Sequence, residues 1–142
     1  MSGFVGIRDL LSASFAHVSE IASNPNKITG IPTGFTKLDD MISGLNKSNL
    51  ILIAARPAMG KTSFALNIAH YAAMKANAKV GIFSLEMSDE EIINRIWFSE
   101  AMVENSKIRS GSMQPNDWER LTLALSKLSA ANIYVDDTAA VS

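Results

Sequence analysis

Residues 55–62 read "ARPAMGKT". The last three, Gly60, Lys61 and Thr62, are those of a phosphate-binding loop of pattern G-x-x-x-x-G-K-[ST], yet Ala55 stands where that pattern asks for glycine. The flanks decide how to read it. Residues 49–55, "NLILIAA", form a continuous apolar run, which predicts a strand buried on both faces of a parallel sheet. Residues 61–76 are rich in Ala, Leu, Lys and Met and predict a helix. Strand, turn and helix in this order are what a phosphate loop requires. Gly60 lets the chain turn tightly and aim successive N–H groups at β- and γ-phosphates. Lys61 offers a point charge to the same oxygens, and Thr62 a hydroxyl for Mg²⁺. The start of the helix adds its partial positive charge. Ala55 ends the strand ahead of the cradle, so its methyl is costly only if the residue needs a positive φ. The candidate nucleotide site is Ala55, Arg56, Pro57, Ala58, Met59, Gly60, Lys61, Thr62 and Ser63. Arg56 can serve either a phosphate or a structural carboxylate.

Downstream, "KVGIFSL" (79–85) predicts a second buried strand and "NIYVDD" (132–137) a third. Between them, Ser88 and Glu91 have the S-x-x-E spacing of a capping box, ahead of Ile92, Ile93 and Ile96. A further helix runs from Pro115 to about Ala130, with Trp118, Leu121, Leu125 and Leu128 on one face. Strands alternating with helices predict a parallel α/β sheet with right-handed crossovers. Glu86 follows the second strand, at the end that faces the ligand crevice in open parallel sheets. There it can orient or deprotonate a water beside a γ-phosphate, or it can be a solvated strand-end charge. Asp136 and Asp137 end the third strand. An apolar strand ending in Asp can hold Mg²⁺, but an ordinary turn fits the pair better.

Upstream, Phe4, Ile7, Leu11, Phe15, Val18 and Ile21 recur at the helical period and form one apolar stripe. "SNPNKITGIPTG" then reads as a loop. The stripe must be buried, either on its own domain or on a neighbouring subunit. "TKLDDMISGL" predicts a short helix with Leu38, Met41 and Ile42 inward and Gly44 as its C-cap.

The chain's 142 residues suit a single domain, and 47% hydrophobic with 19% charged residues is the composition of a globular protein rather than a disordered one. A net charge of −1 gives no global field that would draw nucleic acid. The absence of cysteine excludes disulfides and Cys-based zinc sites. No signal peptide opens the chain, and no apolar run approaches the roughly 20 residues of a membrane span. A cytoplasmic location with no membrane contact is therefore the expectation. His17 and His70 lack a second ligand at metal spacing and read as packing or surface residues, and Trp118 as core.

Taken together, "GIPTGFTKLDDM", "LILIAARPAMGKTSFALNIA" and "GIFSLEMS" closely resemble the DnaB-type replicative DNA helicases, built on a RecA-like ATPase core. The resemblance covers almost all of the chain, and the A-R-P-x-M-G-K-T loop is the family's own form of the motif. It implies a P-loop NTPase sheet flanked by helices, with ATP and Mg²⁺ as cofactors and unwinding of duplex DNA as the activity. Residue by residue, Lys61 and Thr62 match the phosphate and magnesium contacts and Glu86 the catalytic glutamate. The first helix, in residues 1–24, resembles a linker that docks on the adjacent subunit of a hexameric ring, and 25–142 resembles the N-terminal part of the ATPase domain. The resemblance also places Asp136 and Asp137 ahead of the Walker B strand.

The Walker B aspartate, the loops that grip single-stranded DNA, the arginine finger and the domain that meets primase are expected outside these 142 residues, as is the contact with a helicase loader. The sheet is therefore expected to be truncated at its C-terminal side. Other classes are a different RecA-like ATPase and a non-catalytic nucleotide-binding or assembly module. The pairing of "ARPAMGKT" with "FSLEMS" argues against the first.

Overall fold

The computed structural model describes residues 3–23, 28–57 and 59–138. Their elements are α1 (Ile7–Ser23), α2 (Thr36–Ile42), α3 (Lys61–Met74), β1 (Val80–Phe83), α4 (Asp89–Ala101), α5 (Asn105–Ser110), α6 (Pro115–Leu128) and β2 (Ile133–Asp136). The expected boundary between residues 24 and 25 falls outside the described residues. No described helix is long and apolar enough to cross a membrane.

β1 and β2 pair in parallel, with Val80 opposite Ile133 and Ile82 opposite Val135. The crossover between them carries α4, α5 and α6. Val80, Ile82, Ile133 and Val135 are half-buried, whereas Phe83 is 80% and Tyr134 65% exposed. One face of the sheet is therefore covered by helices and the other is open among the described residues. Burial on both faces, expected from the apolar run at 79–85, is not what these residues achieve. On the covered side Leu66 of α3 meets Ile92 and Ile96 of α4, with Ile82, Met87, Leu128, Ile133 and Val135 packed around them. A second cluster joins Ala101, Val103, Leu121 and Ala124, flanked by Trp97, Phe98, Ile108 and Met113. The Trp97 indole N–H donates to the Leu121 carbonyl at 2.8 Å, which lets the ring lie in this cluster without an orphaned donor.

Residues 49–55 depart furthest from expectation. They form no strand and make no backbone hydrogen bond with another described residue. Leu50 is 98% and Leu52 88% exposed. An apolar run of this kind becomes a strand only when neighbours fill both of its edges. The described residues place β1 and β2 against each other and neither against 49–55.

Three smaller expectations are corrected. On α6 the inward residues are Asp117, Leu121 and Ala124, while Trp118 and Leu125 are exposed. The cause is a reciprocal capping box, in which the Gln114 side chain accepts from the backbone of Asp117 and Asp117 accepts from the backbone N–H of Gln114. With Arg120 also donating to Asp117, that carboxylate is drawn inward and the buried face turns by one position. On α2 it is Asp39 that is buried, while Met41 and Ile42 are exposed. Its C-cap is Ser43, at φ 61°, with Gly44 one residue further on. Helix α5 was not foreseen. Every residue of α1 is exposed, so its apolar stripe is not covered by the described part of the chain.

Candidate nucleotide site

The loop's geometry is set mainly by α3. Gly60 is its N-cap, with φ +79° in the left-handed region and open space where a Cβ would stand. That conformation is cheap for glycine and strained for other residues. α4 and α6 have their first-turn amides capped by Ser88 and by Gln114. α3, a helix of 14 residues, has no side-chain cap. A helix start leaves several N–H groups without intrahelical partners, and here no side chain takes them. Lys61 and Thr62 are exposed, and their side chains make no hydrogen bond or ion pair with another described residue. An uncapped helix start, a lysine and a threonine hydroxyl, all facing outward, form a donor set that fits a phosphate chain with its magnesium ion.

Ala55, Arg56, Pro57 and Met59 are exposed, and Ala58 lies outside the described residues. Ser63 is engaged differently: its hydroxyl accepts from the Arg95 guanidinium of α4 at 3.2 Å. Both residues line a groove of about 830 Å³ between α3 and α4, which His70, Glu91 and Arg109 line further along. His70 Nε2 also pairs with Glu100, tying α3 to the later part of α4. The sequence offered no partner for His70, because Glu100 is 30 residues away and meets it only through helix packing.

A second side of α3 is held by a segment that sequence reasoning missed. Asp39, 3% exposed, accepts from the Thr33 backbone N–H at 2.9 Å and from its hydroxyl at 2.8 Å. The Thr33 hydroxyl oxygen in turn accepts from the Phe35 N–H. The turn so fixed lays Phe35 on Phe64, with ring centroids 5.0 Å apart, and Gly34 against Tyr71. Both contacted residues belong to α3. The clue in the sequence was the threonine–aspartate spacing in "PTGFTKLD", which a search for apolar faces passes over.

Glu86 lies on the turn that leaves β1 and is exposed. The Ser84 hydroxyl accepts from the Met87 N–H at 3.0 Å, and the Ser88 hydroxyl from the Glu91 N–H at 3.2 Å. The Glu86 carboxylate makes no hydrogen bond or ion pair with another described residue. Asp136 is held below the usual carboxylate range by the hydroxyl and backbone N–H of Thr138. Among the described residues no group of three His, Asp or Glu side chains forms a metal site.

The comparisons with known proteins agree with this geometry. Residues 30–142 match the family described as the DnaB-like helicase C-terminal domain. The chain is 46% identical over 138 residues to the replicative DNA helicase DnaB of Geobacillus stearothermophilus and 43% identical over 137 residues to the replicative DNA helicase DnaC of Bacillus subtilis. These alignments cover 97% and 96% of this chain, which spans about 30% of the length of either relative. Among solved structures it resembles one described as an ATPase domain, with a TM-score of 0.86 and 36% identity, over 96% of this chain and 48% of that one. It also resembles a DnaB-like replicative helicase whose structure was described with its interactions with primase, with a TM-score of 0.79 and 35% identity, over 98% of this chain and 32% of that one. The fold is accordingly α/β and RecA-like, and this chain belongs to the family of the DnaB-like helicase C-terminal domain.

Proposed function

We propose that this chain supplies the ATP-binding half-site of a replicative DNA helicase that unwinds duplex DNA by ATP hydrolysis. The observation that carries this reading is the uncapped start of α3 behind "ARPAMGKT", with Lys61 and Thr62 facing outward beside it. The loop from Ala55 to Ser63 wraps the phosphates, and the amides of the first turn of α3 donate to their oxygens. Lys61 counters charge on the β- and γ-phosphates, and Thr62 offers its hydroxyl to the metal. Magnesium, when bound, withdraws charge from the transferring phosphoryl group. Glu86 orients the attacking water from the turn after β1. Helix α1 docks its apolar stripe on an adjacent subunit, and the ring so formed is a hexamer that works on single-stranded DNA in the cytoplasm, with primase and a loader as partners. Residues 1–24 act as that linker and 25–142 as the N-terminal part of the ATPase domain.

The test is calorimetric titration of Mg-ADP and Mg-ATP, with Lys61→Ala beside the native chain. Binding that the substitution weakens at least tenfold is expected, and equal binding by both proteins would sink the assignment. In the same preparation, ATP turnover by the isolated chain should be slow with or without single-stranded DNA, because a neighbour's groups complete the site. A second reading, a nucleotide-binding assembly module without turnover, draws on residues 49–55, which pair with no other described residue. Slow turnover that persists after assembly into a ring would favour it.

A further inference from the structure

We propose that Asp137 is a positioning residue for Glu86, an inference that rests on the role given to Glu86 above. Glu86 sits midway along a turn of chain, residues 84–89, whose two ends are gripped by consecutive residues of the β2 exit. At one end the Ser84 N–H donates to the Asp136 carbonyl at 2.9 Å, continuing the ladder one step past the strands. At the other the Asp89 N–H donates to the Asp137 carboxylate at 3.0 Å, across a sequence separation of 48 residues. Within this clamp the Ser84 hydroxyl closes the turn on the Met87 N–H.

A helix cap alone does not account for the carboxylate. α4 already has its cap in Ser88, which accepts from Glu91. Asp137 takes the amide of the first helical residue instead, and does so from another element. A carboxylate here is favoured by the partial positive charge of the helix start, and its bond is charge-assisted. The outcome is a turn fixed at both ends to the end of β2 and the residue after it, with Glu86 exposed between them. A carboxylate that must aim a water needs its backbone held to a fraction of an ångström, and a displacement of about 1 Å can cost up to two orders of magnitude in rate.

The experiment uses a full-length chimera in which this chain replaces the span it matches in the Geobacillus stearothermophilus helicase. Steady-state ATP hydrolysis is measured for the parent chimera, Glu86→Gln, Asp137→Ala, Asp137→Ser and Asp137→Asn. Asp137→Ala should lower kcat about tenfold and leave KM for ATP within about twofold, the pattern of an interaction that matters in the transition state rather than in binding. Asp137→Asn, which keeps the acceptor oxygen, should restore kcat to within about threefold of the parent. If the alanine variant does not fold, Asp137→Ser, too short to reach Asp89, must show the same fall. A kcat unchanged in the alanine or serine variant while Glu86→Gln is inactive overturns the inference. So does a variant that loses thermal stability but keeps its kcat. Turnover that survives Glu86→Gln instead overturns the role of Glu86 itself, which separates the two failures.

Discussion

Asp117 carries the densest set of interactions of any described carboxylate. It is 2% exposed, accepts from the Gln114 N–H, and is approached by Arg120 and, at 3.5 Å, by Lys107. The backbone bond from Gln114, then Arg120, then Lys107 hold it below its ordinary value of 3.8. A carboxyl lowered in the folded state adds stability that is complete above its unfolded value and lost as pH falls through the folded one. Urea midpoints should therefore be level near neutrality and drop below about pH 4. Asp117→Asn should lower the neutral midpoint and flatten the acid limb, leaving the slope that other lowered carboxylates such as Asp136, bonded by Thr138, contribute. An acid limb as steep in the variant as in the native chain would contradict this account. No motif in the sequence singled Asp117 out. One of its partners, Lys107, arrives from α5, a helix that no apolar period announced. The residues of the phosphate loop were legible for the opposite reason. Their chemistry is local, and Gly60, Lys61 and Thr62 stand together whatever the rest of the chain does.

At the level of elements, the hold on α3 comes from two sides, α4 through Arg95 and Glu100, and the Thr33–Asp39 turn through Phe35 and Gly34. Gly34 has φ +94°, and a Cβ there would stand 2.7 Å from the Tyr71 ring. Gly34→Ala thus combines left-handed strain with overlap against a packed aromatic side chain, at a cost of about 2 kcal/mol or more. A fall in the urea midpoint at unchanged slope should report it, and an unaltered midpoint would show that the turn does not brace α3. Strands β1 and β2 and the capped start of α4 could be read from sequence because each is defined by a short pattern and a neighbour within the same crossover. Residues 49–55 carried an equally clear pattern and did not form a strand. Hydrophobic periodicity reports which residues are fit to be buried, and burial itself waits on partners that periodicity does not supply. Trp118 was misread for a related reason, since an apolar stripe was drawn through α6 without the inward pull on its acidic neighbour.

Among the described residues three apolar surfaces have nothing described against them, the stripe of α1, the segment 49–55 and the open face of the β1–β2 sheet with Phe83 and Tyr134. Phe4, Phe15, Leu50 and Leu52 are each at least 74% exposed. Contiguous exposure on this scale marks surfaces that meet other protein. If α1 docks on a neighbour, sedimentation should show association at micromolar concentration, and Phe15→Glu should shift it toward monomer while leaving the far-UV spectrum unchanged. Association insensitive to that change would place the contact elsewhere, with 49–55 the next candidate.

The open segment also stands directly before the loop. One end of "ARPAMGKT" is anchored on a packed helix, and the other continues from a stretch without a single backbone bond to the described chain. Nucleotide and any strand that pairs with 49–55 would thus order the same few residues. Whichever arrives first bears the conformational entropy of ordering, and the second binds a loop already arranged. The coupling is reciprocal, so the factor by which strand pairing raises nucleotide affinity equals the factor by which nucleotide strengthens the pairing. If the proposed nucleotide site holds, ATP affinity should therefore rise when a strand pairs with residues 49–55.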